Sequence, residues 1–320
     1  MTDGSPRCCV QRQAGEPTAT ATASAMAITP SPTPIVRRWS PPIGGSFLMG
    51  SDDQRFPDDG EGPVRKVSVA AFAIACYAVS NLQFAEFIRR TGYTTDAERH
   101  GWSFVFEGLL PEETKRAPTN RAAETPWWVA VPHAYWAQPE GPRSTIFERS
   151  DHPVVHISWN DAKAYCQWSR TRLPTEAEWE MAARGGLEQA AYPWGDELTP
   201  AGEHRCNIWQ GHFPDLNTRE DGYLGTAPVH AFAANGYGLF NVAGNVWEWC
   251  DDTFSPRYHQ VTVTENPFHG APAPNRSLRG GSFLCHDSYC NRYRVAARSS
   301  NTPDSSASNI GFRVARCSST

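Results

Sequence analysis

Apolar residues recur at helical spacing in three stretches. Each stretch opens on a hydroxyl residue followed three positions later by an acid or amide. Ser80-Asn-Leu-Gln83 leads into Phe84, Phe87 and Ile88 and stops at Gly92. Ser158-Trp-Asn-Asp161 leads into Ala162, Tyr165, Cys166 and Trp168, and Thr175-Glu-Ala-Glu178, preceded by Pro174, runs to Gly185-Gly186. At that spacing the hydroxyl accepts from the third amide while the third side chain reaches back to the first, so three helices are predicted. Alternation over Val64 to Val69 and His152 to Ile157 predicts short strands between them. After Gly186 no pattern supports a helix of more than two turns; short strands, tryptophans, glycines and polar turns are expected. Residues 1–38, with alternating Thr and Ala from Thr18 and prolines at 30, 32 and 34, lack a periodic apolar face. They are expected to be a disordered tail, and residues 39–320 a single domain whose globule begins near Ile43.

One echo runs across that domain. Gly44-Gly-Ser-Phe-Leu-Met49 returns as Gly280-Gly-Ser-Phe-Leu-Cys285. It is either a coincidence of a common turn-plus-strand pattern or a pair of related strands that bring the ends of the domain into one sheet.

Composition removes several classes. With 25 Gly, 26 Pro and 12 Trp in 320 residues, the chain has too many breakers for a helical bundle, coiled coil or solenoid. It is also too aromatic for wholesale disorder. The net charge of −5 and the lack of a basic block exclude a nucleic-acid footprint. The longest apolar run, Val69 to Val79, has 11 residues, short of the ~20 a membrane helix needs. No apolar segment follows basic residues at the N-terminus, so no secretory signal is expected. Nine cysteines, odd in number and mostly scattered, favour reduced thiols in the cytoplasm over a disulfide framework.

Three sets of residues carry candidate chemistry. Cys285-His-Asp-Ser-Tyr-Cys290 is the only close cysteine pair in the folded region. It suits a disulfide, half of a zinc site, or two thiolates for redox chemistry or for a soft ion such as Cu(I), which needs only two sulfurs. Two oxygen-rich stretches could hold Ca²⁺ or simply bond their own loop backbones. One is Asn207-Ile-Trp-Gln with Asp221-Gly-Tyr223, the other Asn241-Val-Ala-Gly244-Asn-Val-Trp-Glu248. The polar run from Arg298 to Asn309 reads as a surface loop or as the wall of a peptide cleft. His152, His156 and His204 stand alone and receive no role.

The segment from Arg279-Gly-Gly-Ser-Phe-Leu-Cys through Asn309-Ile-Gly-Phe-Arg313 closely resembles the C-terminal signature of formylglycine-generating enzymes, the sulfatase-modifying factors. Gly101-Trp-Ser-Phe-Val-Phe106, Arg172-Leu-Pro-Thr-Glu-Ala-Glu-Trp-Glu180, Tyr192-Pro-Trp-Gly-Asp196 and Gly244-Asn-Val-Trp-Glu-Trp249 extend the resemblance over about residues 43–315. It implies an α+β fold, a single domain related to C-type lectins with little regular secondary structure. The implied reaction is copper- and O₂-dependent oxidation of a cysteine in a Cys-x-Pro-x-Arg type segment of an unfolded sulfatase precursor to Cα-formylglycine. By position, Cys285 and Cys290 match the copper pair, Ser282 a serine beside it, and Trp247 an active-site tryptophan. Asn207, Ile208, Asp221 and Tyr223 match the ligands of a first calcium, with Ile208 and Tyr223 acting through their carbonyls. Asn241, Gly244, Val246 and Glu248 match those of a second, with Gly244 and Val246 acting through theirs. Cysteines that secreted members carry are here Ala183, Val295 and Val314, which again suits a cytoplasmic protein. A monomer is expected. The alternative is a non-catalytic, lectin-like module that binds peptide or glycan on the same fold.

Overall fold

The computed structural model describes residues 37–53, 55–116, 120–260 and 263–318. The tail expected over residues 1–38 lies outside the described residues except for its last two positions.

Strands β1 (Ile43–Met49) and β2 (Arg65–Ile74) come first, as antiparallel neighbours. Helices α1 (Asn81–Thr91) and α2 (Asp96–His100) lead to β3 (Trp102–Phe106). Then come α3 (Glu112–Arg116), β4 (Asn120–Arg121) and β5 (Trp128–Pro132). Helices α4 (Trp159–Ser169) and α5 (Glu176–Arg184) complete the helical part. The remainder is short strands: β6 (Gly211–His212), β7 (Leu216–Asn217), β8 (Trp247–Thr253), β9 (Arg276–Arg279), β10 (Ser299–Asn301), β11 (Ile310–Phe312) and β12 (Ala315–Cys317).

All three predicted helices form, each with both arms of its capping box made. A fourth box, Thr95 with Glu98, opens the short α2. Helices α1 and α5 end on left-handed glycines, Gly92 and Gly185, where a side chain would be strained.

Among the described residues the strands form four small sheets, in the orders β1-β2-β12, β10-β9-β8-β11, β3-β5-β4 and β6-β7. Two expectations are corrected. Residues 152–157 do not form a strand. Val154 N–H donates to Val79 and His156 N–H to Ala307, so the buried segment is held from two different sides and not by one ladder. The echo is not a structural repeat either. Residues 44–49 lie in β1, whereas Gly280 and Gly281 take φ of 93° and 73° and start a turn in which Cys285 N–H donates to Ser282 O. The ends of the domain do share a sheet, but through β12, which pairs with β2 on the edge opposite β1.

Aromatics dominate the packing. The main cluster joins Phe84, Tyr165, Trp168, Trp247, Trp249 and Phe312 to Cys285 and Cys290. A second cluster packs Ile43, Val67 and Phe72 of the first sheet against Trp179 and Met181 of α5. Helix α5 thus stands between the first sheet and the sheet that carries β8 and β9.

Candidate active site

Helix α5 brings charge into this interior. Glu176 and Glu180, one turn apart and both fully buried, face strand β9. Arg279 Nε lies 3.0 Å from Glu176 Oε2, and its NH2 lies 3.0 Å from Glu180 Oε2. Arg298 adds Nε to Glu176 Oε2 and NH2 to Glu176 Oε1, both at 2.7 Å. Ser277 Oγ–H donates to Glu176, while Gly50 N–H and Arg184 donate to Glu180. Burial alone would raise the Glu176 carboxyl, but Arg298 and Arg279 together hold it well below its usual value. An isolated buried ion pair scarcely offsets its desolvation. Here the remaining donors are also used, since Arg279 NH1 serves the carbonyls of Val295, Ala296 and Ala297. The network fixes β9 and residues 295–298, the two arms from which the loop 280–294 hangs.

Leaving β9, the chain turns at Gly280 and Gly281. A Cβ on Gly281 would come within 3.0 Å of Arg292 O and Tyr293 Cα, so the two arms touch backbone to backbone. Inside the loop Cys285 and Cys290 are fully buried, with their sulfurs 2.9 Å apart and no disulfide between them. Ser282 N–H points at Cys285 Sγ from 3.3 Å, a donor that favours the thiolate. Tyr289 stacks on Phe213 (4.3 Å between centroids, 6° between planes) and meets Trp127 edge-on, closing one wall. The connection between β1 and β2 clasps the other arm: Arg294 grips Glu61 with two 2.8 Å bonds, and Arg292 lies 4.0 Å over the Phe56 ring.

Ser282 and Trp247, placed beside the thiols by resemblance, meet through a residue not singled out beforehand. Asn309 Nδ2 donates to Ser282 Oγ at 3.0 Å, and Asn309 O accepts from Trp247 N–H at 2.9 Å. Asn309 Oδ1 and Trp247 Nε1 are buried and have no hydrogen-bond partner. Such atoms are costly in a core and are tolerated where a ligand will use them. The signal for Asn309 was its place in a polar run that ends against β8; nothing in local spacing pointed to Ser282.

The donor set around the loop suits a soft ion. Among the described residues no group of three or more His, Cys, Asp and Glu side chains is placed to hold a metal. Among the described residues the loop offers two sulfurs, too few for a four-ligand zinc site but enough for Cu(I).

Both oxygen-rich stretches fold into adjoining turns, since Asn207 forms an isolated parallel bridge with Gly244. Asp221 accepts from Ile208 N–H at 3.0 Å and Tyr223 N–H at 2.9 Å, which draws that set together. Asp221 Oδ2 and Ile208 O converge on one point, where Gln210 Nε2 donates to both. That arrangement of hard oxygens fits Ca²⁺ once Gln210 turns aside. In the second set Asn241 Oδ1 is buried without a partner, as a ligand atom would be. Glu248 is different. Both of its oxygens are engaged by Arg313, and Oε2 also accepts from Trp179 Nε1 at 2.7 Å. Its carboxylate ties β8 to α5 and to the segment after β11.

The run from Arg298 to Asn309 does line a surface depression. Asp304, Ser305 and Ser306 face His100, Trp102 and Phe104 across it.

The sequence matches the sulfatase-modifying factor enzyme 1-like domain over residues 42–318. The chain belongs to that family. A formylglycine-generating enzyme of Thermomonospora curvata is 63% identical over 278 residues, covering 85% of this chain and 91% of the relative. One from Bos taurus is 55% identical over 271 residues, covering 85% and 72%. Among solved structures, PvdO from Pseudomonas aeruginosa superposes with a TM-score of 0.60 at 24% identity, covering 86% of this chain and 92% of that one. This last likeness concerns the fold, the single sulfatase-modifying-factor domain related to C-type lectins. As a member of this family the chain is an enzyme of the formylglycine-generating kind. No helix among the described residues is long and apolar enough to cross a membrane.

Proposed function

We propose that this chain oxidises one cysteine of an unfolded sulfatase precursor, in a Cys-x-Pro-x-Arg type segment, to Cα-formylglycine, with Cu(I) held by Cys285 and Cys290 and molecular oxygen as oxidant. The observation that carries the reading is the pair of fully buried thiols 2.9 Å apart and not joined as a disulfide. A lectin-like binding module on this fold would have no use for them. Held by the Cys285 and Cys290 thiolates, Cu(I) would supply redox chemistry towards oxygen and affinity for a further thiolate. The chain's own residues orient and exclude. Ser282 N–H stabilises the charge on Cys285, Asn309 holds the Ser282 hydroxyl, and Tyr289 with Phe213 and Trp127 keeps bulk water out. Asn309 Oδ1, Trp247 Nε1 and Trp127 Nε1 are buried polar atoms without a partner and are left to meet whatever enters.

Two Ca²⁺ ions have a structural role in this reading, one with Asn207, Ile208, Asp221 and Tyr223, the other with Asn241, Gly244, Val246 and Glu248. The second rests on Asn241 Oδ1 more than on the Glu248 carboxylate. The enzyme works as a monomer in a reducing cytoplasm, consistent with seven described cysteines and no disulfide among them.

Anaerobic Cu(I) titration followed by thiol reactivity should saturate at one ion per chain. Mass spectrometry of a Cys-x-Pro-x-Arg peptide should show aldehyde only when copper and oxygen are both present. Full aldehyde yield from metal-stripped protein would overturn the copper assignment.

A further inference from the structure

His156, given no role by its surroundings in the sequence, is fully buried at φ 59° and sits at the end of a hydrogen-bond chain. Its Nε2 lies 2.8 Å from Pro139 O, and its Nδ1 lies 2.8 Å from Ser103 Oγ. Ser103 Oγ in turn lies 2.8 Å from Ser306 Oγ. Ser306 lines the depression with Asp304, Ser305, His100, Trp102 and Phe104.

The direction of every proton in this chain follows from its inner end. A carbonyl oxygen only accepts, so Nε2 must carry a hydrogen towards Pro139. Burial pushes the imidazole down to about 3, so the ring is neutral and has only that one hydrogen. Nδ1 is then an acceptor, and the single hydroxyl hydrogen of Ser103 must go to it. Ser103 Oγ therefore accepts from Ser306, whose own hydrogen is directed inward. What Ser306 turns towards the depression is lone-pair density alone.

We propose that His156, acting through Ser103, is a positioning residue that makes Ser306 an obligate hydrogen-bond acceptor, so that this depression selects an N–H donor of the bound peptide, from its backbone or from a guanidinium. The inference rests on the peptide-oxidising reading for the identity of the occupant; the proton order itself does not depend on it. A serine free to rotate would serve donors and acceptors alike. A fixed one rejects a carbonyl or carboxylate by lone-pair repulsion and offers a donor a partner already oriented.

Two measurements test this. Nitrogen-15 NMR of the full chain should find His156 protonated on Nε2 only, unchanged between pH 5 and 8; a proton on Nδ1 would overturn the proposal whether or not the protein turns over. The second is the affinity for a Ser-x-Pro-x-Arg peptide, which lacks the reacting thiol and so reports binding without oxidation. Ser306→Ala should raise Kd about three- to tenfold, the worth of one neutral hydrogen bond, and Ser103→Ala, which frees the Ser306 hydroxyl to rotate but keeps its oxygen, about two- to threefold. The double variant should lose no more than Ser306→Ala alone, and kcat on the cysteine peptide should stay within about twofold for all three. An unchanged Kd in Ser103→Ala, additive losses, or a loss confined to kcat would each overturn it. Failure of the wild type to form aldehyde would count against the oxidation reading and leave these binding results to decide.

Discussion

Two buried polar regions lie on either side of Gly280, and they are finished differently. On the α5 side, Glu176 and Glu180 meet Arg279, Arg298, Arg184, Ser277 Oγ and Gly50 N–H, so the carboxylates and the guanidinium groups are matched. On the thiol side, two sulfurs are crowded together while Asn309 Oδ1 and Trp247 Nε1 stay buried and unmatched. The carboxylates and guanidinium groups of the first region have no spare valence among themselves and so hold shape. The second keeps spare valence in a dry place, which has no benefit for folding and every benefit for chemistry. A single β-turn separates them, so the rigid network sets the position of the thiols.

That contrast breaks most sharply at the thiols. Cys290→Ser should abolish aldehyde formation while shifting denaturant stability by no more than about 1.5 kcal/mol, since no hydrogen-bonded charge is stranded. Full turnover by this variant would remove the distinction between the two regions. Arg279→Met should do the reverse and destabilise by about 3–5 kcal/mol, because it strands Glu176 and Glu180 without their shared cation. Urea unfolding at neutral pH reads this directly, and a loss below 1 kcal/mol (~1) would mean that Arg298 and Arg184 suffice.

His259 probes the edge of the charged network. It is buried against Gly50, neither ring nitrogen has a partner, and burial pushes it down to about 4 despite the nearby Glu180. As pH falls below ~6.5 the unfolded chain takes up a proton that the native state refuses until about 4, so stability is lost through that window. At pH 5 the loss should be about 2 kcal/mol. His259→Leu should remove most of this acid sensitivity, seen as a flatter dependence of Tm on pH from 7 to 5. The smallest effect belongs to the cap: Thr175→Ala should cost about 1 kcal/mol by leaving Glu178 N–H without its acceptor.

How much of this was legible follows from distance along the chain. The capping boxes of α1, α4 and α5 are written within four residues, and all three formed. Thr95-Asp-Ala-Glu98 carries the same signal, but its five-residue helix has no room for an apolar period to support it. The network around Glu176 could not be read, since its arginines lie 103 and 122 positions away. His152 to Ile157 alternates like a strand, yet its partners are Val79 and Ala307, which no local rule brings together. Resemblance named Cys285, Cys290, Ser282 and Trp247, which the fold brings together, while Asn309 and His156 needed coordinates. The partners of the Glu248 carboxylate, Arg313 and Trp179, lie 65 and 69 positions away and were equally out of local reach.

The pairing of β1 and β12 on either edge of β2 has a topological consequence. Ile43 and Cys317 both stand opposite Phe72, one on each side. Two strand spacings, roughly 10 Å, separate them. The domain is thus a nearly closed ring of polypeptide whose two ends are held by one clasp. A short Gly/Ser bridge from 317 back to 43 would complete the circle, and new ends could then be opened in an exposed turn far from the thiols without rerouting a single element.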